Sequence, residues 1–209
     1  MPCYNFIFFE YYGVYNYGGI KMINNRGKNF LYKSYIFEIQ KSLNNMFLEL
    51  KSLKSTCSIS ADFINQFLIY QRVAEKIAKI TASCTNFRPV FDISSKIAQK
   101  RCEVLKDVER IKLFCGNFKN CPAGTKNYKT EFKKICDDYQ NILKDSQNCR
   151  NINIFFLKFM IKYNDFSILL NKNALKYRLC PQLRLISEYC IQLGKKENVI
   201  MEDVLNSIK

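Results

Sequence analysis

The sequence predicts an irregular, disulfide-stapled all-α bundle of about five to seven helices. Three observations point there. Apolar residues recur at helical spacing along most of the chain, and no sustained alternation of period two appears. Only 7 glycines and 4 prolines punctuate 209 residues, too few for a turn-rich β-sandwich. Ten cysteines fall mostly at the ends of the helical segments or on their apolar faces. With 48% hydrophobic residues the chain can bury one good-sized core.

The elements follow in order. Over residues 34–54, Ile36, Ile39, Leu43, Met46, Leu50 and Leu53 form a 3-4-3-4-3 stripe. It suits either a core face or a short coiled coil. Ser58 or Ser60 caps the next helix, with Asp62 in its first turn. Phe63, Phe67, Tyr70, Val73, Ile77, Ile80 and Cys84 mark its inner face, and Arg88-Pro89 breaks it. A third helix is expected from Ser94 or Ser95. Ile97, Val104, Val108, Ile111 and Phe114 face inward, and Gly116 stands after its end. A loop from Gly116 to Asn127 precedes a fourth helix over 128–147, carried by Phe132, Ile135, Tyr139, Ile142 and Leu143. Residues 152–170 are the most apolar stretch. Lys158, Lys162 and Asp165 interrupt it, so it reads as a buried helix and not a membrane span. Pro181 opens another helix, with Leu183, Ile186, Tyr189, Cys190 and Leu193 inward and Gly194 closing it. A last short helix runs over 198–208.

Residues 1–32 differ from the rest. Eight aromatics crowd between Tyr4 and Tyr17, without a clean period, and Gly18-Gly19 ends them. The segment lacks a basic start, an uninterrupted apolar run and a small-residue cleavage site. The expectation is a disordered or mis-called N-terminal segment ahead of a single helical domain over 33–209. If the domain is secreted, its signal segment lies upstream of Ser34 and has been lost or replaced.

The cysteines carry the most specific pattern. No C-x-x-C is present, and there is no histidine, so neither a thioredoxin motif nor an ordinary zinc site is supported. The disulfide candidates are Cys57, Cys84, Cys102, Cys115, Cys121, Cys136, Cys149, Cys180 and Cys190. Without Cys3 their number is odd, which leaves one thiol unpaired within the chain. Cys102 and Cys115, like Cys136 and Cys149, are 13 residues apart. On one helix that is about 20 Å along the axis, beyond the reach of a disulfide. Such cysteines staple different helices, or else stay reduced as small core residues. Most are expected to pair, which implies an oxidising compartment.

The run from Cys102 to Cys115, then Cys121, then Cys136 and Cys149, resembles a nematode-specific cysteine-rich domain of unknown function (domain-of-unknown-function family nineteen). The late pair Cys180 and Cys190, with Tyr189 before the second, resembles that family's C-terminal part. The resemblance covers the cysteine-rich core, residues 57–193. It implies a secreted, helical, disulfide-linked domain, with no activity or functional residue to carry over.

Function is bounded mainly by exclusion. Zero histidine removes Ser-His-Asp and Cys-His catalysis and the histidine pH switch. Glu103 with Asp107, and Asp137 with Asp138, are carboxylate pairs; Lys106 and Arg110 beside the first point to ion pairing on a solvated face. Ala123-Gly124-Thr125-Lys126 lacks the order of a phosphate loop. The net charge is +15, spread along the chain, and 25 of the 33 basic residues are lysine. Nucleic-acid readers favour arginine for its bidentate fork, so the excess reads as a solvated face. The expectation is therefore an extracellular helical binding module for an unknown protein or small-molecule ligand. It has no catalytic residues, no metal and no cofactor. The alternative is an intracellular basic protein that binds nucleic acid through dispersed lysines.

Overall fold

A computed structural model describes residues 25–115, 119–144 and 151–208, with side chains from residue 31 onward. Cys3, Gly116, Cys149 and the aromatics between Tyr4 and Tyr17 lie outside the described residues. Six helices make up the fold: α1 (Asn25–Ser52), α2 (Ile59–Cys84), α3 (Arg88–Cys115), α4 (Pro122–Lys144), α5 (Ile152–Leu175) and α6 (Pro181–Ser207). Among the described residues there is no strand. The all-α bundle is the fold that the apolar periodicity predicts.

Two helical hairpins form the centre. α2 packs along α3, and α5 along α6; the hairpins then meet through α2 with α5 and α3 with α6. α1 lies against α2 and α4, and α4 against α5. The expected stripe on α1 is the buried one: Ile39, Leu43, Met46 and Leu50 are inside, with Ile36 and Leu53 at its margins. Ser58 is the α2 cap, its hydroxyl accepting from the Ala61 N–H at 3.2 Å. Asn151 caps α5 in the same way.

Punctuation residues behave differently from expectation at four places. α1 is already helical at Asn25, upstream of residue 34. α3 begins at Arg88, six residues before Ser94, because Pro89 occupies its first turn. A proline there lacks only an N–H that has no helical partner anyway. Ser94 is instead buried within the helix, its hydroxyl donating to the Phe91 carbonyl at 3.1 Å. Pro122 likewise starts α4 inside the expected loop. Gly194 ends nothing: α6 runs unbroken through it to Ser207. A Cβ at 194 would stand 3.3 Å from both Cγ1 and Cδ1 of Ile168, so the glycine lets α6 approach α5 closely. Three residues of the expected apolar faces are outside, Ile142 among them at 39% exposed. Phe114 is 77% and Tyr189 47% exposed, each on the flank of a stripe whose centre is buried.

α5 is apolar nearly all round and is buried nearly all round. Phe155, Phe156, Phe159, Met160, Tyr163 and Phe166 are all shielded from solvent. Several of its polar groups find partners inside. Tyr163 donates to the Tyr70 carbonyl at 2.6 Å, and the Asn171 amide to the Tyr70 hydroxyl at 3.1 Å. Arg101 of α3, with a side chain 4% exposed, meets Glu197 of α6 at 2.5 Å and Asn164 of α5 at 3.1 Å. Asn164 closes the triangle by donating to Glu197 at 3.1 Å. Breaking this buried pair leaves an uncompensated charge. Arg101→Ala is therefore expected to destabilise the fold by about 3–5 kcal/mol. The joint replacement Arg101→Met with Glu197→Leu is expected to cost clearly less. Urea unfolding followed by circular dichroism checks both.

Candidate functional site

A cleft of about 470 Å³ opens where the end of α1, the first turns of α2 and the middle of α4 meet. Its floor is apolar: Leu50 and Cys136 are buried, and Leu53 and Phe132 are half-buried beside them. Helical spacing builds each wall. Leu50 is on the inner face of the α1 end and Leu53 follows just beyond it, while Phe132 and Cys136 are i, i+4 on α4. The rim carries Lys51 and Lys54 on one side and, one helical turn apart on α4, Lys129 and Lys133 on the other.

The four ammonium groups are not equivalent. Lys51 is spent on the fold: it contacts Asp137 at 3.2 Å and donates to Gln140 at 2.8 Å, tying α1 to α4. Lys54, Lys129 and Lys133 have no carboxylate within ion-pair distance among the described residues. Asp62 is the sole carboxylate in the lining, and its oxygens are already taken. It accepts from Ser55 Oγ at 2.5 Å and from both the N–H and the hydroxyl of Thr56 at 2.8 Å, fastening the α1–α2 connector. Gln66 is 6% exposed. Its Oε1 accepts from the Tyr128 hydroxyl, and its amide NH2 has no partner among the described residues. The cleft thus presents donors and cations over an apolar floor.

Its thiol is quiet. Burial pushes the Cys136 thiol up to about 12; Asp137 adds to this and Lys51 opposes it. A thiol so far above neutral pH is not a nucleophile. Among the described residues no three His, Cys, Asp or Glu side chains gather as a metal site. Glu103 and Asp107 stand exposed on α3, paired with Lys100 at 2.7 Å and Arg110 at 3.2 Å. Asp137 is the partner of Lys51, and Asp138 is exposed. Ala123 to Lys126 form the first turn of α4.

The cysteines correct the expectation that most of them pair. One disulfide is present, Cys115–Cys180, with Cα atoms 5.4 Å apart, joining the end of α3 to the start of α6. Cys57, Cys84, Cys102, Cys121, Cys136 and Cys190 are thiols, and Cys149 is outside the described residues. Helix faces explain part of this. Cys136 points into the cleft floor, and Cys190 is buried near Tyr70 and Arg101. Cys57 and Cys121 are exposed at the disulfide's end of the bundle, where the Asn120 N–H donates to the Cys57 carbonyl at 2.9 Å. Cys121 Sγ accepts from the Gly124 N–H at 3.4 Å.

No family model, curated protein or solved structure matches this chain. No described helix is long and apolar enough to cross a membrane. The sequence reading missed the cleft. The available signal was lysine placed beside the apolar stripes, at Lys51 and Lys54 and again at Lys129 and Lys133.

Two outcomes follow from the thiols. With iodoacetamide at pH 8, Cys57 and Cys121 are expected to label first, and Cys136 and Cys190 only after unfolding. Peptide mass spectrometry reads the order, and equal rates would contradict the burial. Burial also pushes Cys190 up to about 12 from its ordinary 9.0. Above pH 9 the unfolded chain therefore loses these two protons while the folded chain keeps them. Stability is expected to be full below pH 9 and to fall toward pH 12, by about 1.4 kcal/mol per pH unit for each thiol. Buried Tyr70, Tyr128 and Tyr163, all raised by burial, act in the same direction at higher pH. Urea midpoints at pH 8 and pH 10 measure the fall.

Proposed function

We propose that this protein is a non-catalytic helical binding module, and that the lysine-ringed cleft takes an anionic ligand. One observation carries the reading: Lys54, Lys129, Lys133 and the Gln66 amide are donors without protein partners, gathered on one apolar cleft. A ligand that supplies acceptors and negative charge satisfies all of them. A low-polarity floor strengthens that attraction relative to open water. The cleft volume is that of ordinary small-molecule sites.

An extracellular setting belongs to the same proposal. The Cys115–Cys180 bridge supports an oxidising compartment. The cysteine spacing over 57–193, which resembles the nematode cysteine-rich domain, supports membership of that secreted family. Nucleic acid is the reading we set aside, because the lysines are distributed over all six helices without an arginine-rich stripe.

The test uses 1-anilinonaphthalene-8-sulfonate, an anionic apolar probe, followed by fluorescence. The folded chain is expected to bind one probe per molecule. The Lys54→Gln, Lys129→Gln, Lys133→Gln variant is expected to bind it at least tenfold more weakly. Unchanged affinity in that variant would overturn the reading. So would tight binding of duplex DNA with a steep salt slope, about 0.9 per phosphate neutralised.

A further inference from the structure

We infer that the ligand is a single-chain anionic amphiphile of the fatty-acid class, its head among the lysines and its chain along the floor. This rests on the reading of the cleft as an anion site and narrows it. A free inorganic anion would use the rim but leave half-buried Leu53 and Phe132 facing water. An acidic peptide would lay backbone N–H and C=O groups on that floor, where they find no partners. An alkyl chain has no such groups and gains by covering apolar surface.

The head has defined neighbours. Lys129 and Lys133 are one turn apart on α4, and Lys54 approaches from the other wall. Gln66 is part of the same lining, and its oxygen accepts from the Tyr128 hydroxyl, which leaves the NH2 as its open donor. Gln66 is 6% exposed and its NH2 has no protein partner among the described residues, so a ligand oxygen in the cleft has a donor to meet. The lining contains Asp62, whose negative charge offsets part of the rim. A monoanion therefore suffices, and a polyanion is not required.

Isothermal titration calorimetry on the folded full chain separates the possibilities. The ligands are hexanoate, octanoate, decanoate and dodecanoate below their micelle concentrations, with inorganic phosphate and dodecyltrimethylammonium as controls. Affinity for the carboxylates is expected to rise about three- to fourfold per added methylene until the cleft is full. Phosphate and the cationic amphiphile are expected to bind at least tenfold more weakly than dodecanoate. The triple lysine-to-glutamine variant is expected to lose at least tenfold for every carboxylate. Leu53→Gln, at a half-buried position, is expected to flatten the chain-length dependence while keeping the short-chain affinity. Phosphate binding as tightly as dodecanoate, with no chain-length dependence, would overturn the amphiphile and leave the anion cleft standing. Equal binding of the cationic amphiphile, or no binding of any carboxylate or phosphate, would overturn both.

Discussion

A helix enclosed on nearly all its faces must satisfy its polar side chains inside the protein, and α5 sets that constraint on the whole bundle. Asn164, Asn171 and Asn173 are buried away from bulk water. Asn164 is met by Arg101 and Glu197, and Asn171 by the Tyr70 hydroxyl, so α2, α3 and α6 are held at fixed registers along α5. The match is incomplete: Asn171 Oδ1 and Asn173 Oδ1 are buried without a partner. Each such orphan costs about 1–3 kcal/mol, so the apolar contacts of α5 must exceed that loss. The aromatic layer does this work. Phe155, Phe159, Tyr163 and Phe166 meet Tyr35, Phe47 and Tyr70 at ring separations of 5.7 to 6.1 Å or step along α5 itself.

The α3–α6 contact is pinned at two levels. Cys115–Cys180 fixes the end of α3 to the start of α6, and Arg101–Glu197 fixes the same two helices roughly four to five turns away. The disulfide acts chiefly by closing a loop of sequence separation 65 in the unfolded chain, worth roughly 4 kcal/mol. The ion pair contributes register more than stability, since burying both charges costs most of what their attraction returns. Together they leave α1 and α4 as the outer layer. These two meet mainly where Lys51 reaches Asp137 and Gln140, and the gap beside that contact is the cleft.

Apolar periodicity revealed the helices because burial is a property of one helix at a time. Ile39, Leu43, Met46 and Leu50 are legible as a stripe without knowing what covers them. Proline and glycine misled because their meaning is positional. Pro89 and Pro122 break a helix in its interior yet open one in its first turn, and Gly194 serves a neighbour, Ile168, that is distant in sequence. The cysteine reading had the same difficulty. Cys115 and Cys180 became partners through the α3–α6 packing, which no spacing along the chain encodes. The cleft was least legible, since its donors come from three separate segments and each of them, taken alone, resembles an ordinary solvated flank.

That assembly from separate segments bears on what the cleft can do. Chemistry on a substrate needs a group whose protonation or nucleophilicity lies near working pH. The thiol on this floor is driven the other way, and the carboxylate in the lining is locked into Ser55 and Thr56. What remains accessible is a set of permanent donors: three ammonium groups and an amide. Donors of this kind hold an anion without altering it. A site of this composition favours retention over turnover, and its selectivity rests on shape and apolar length. Those are the grounds on which we propose binding, with chain length as the ligand property that tests it.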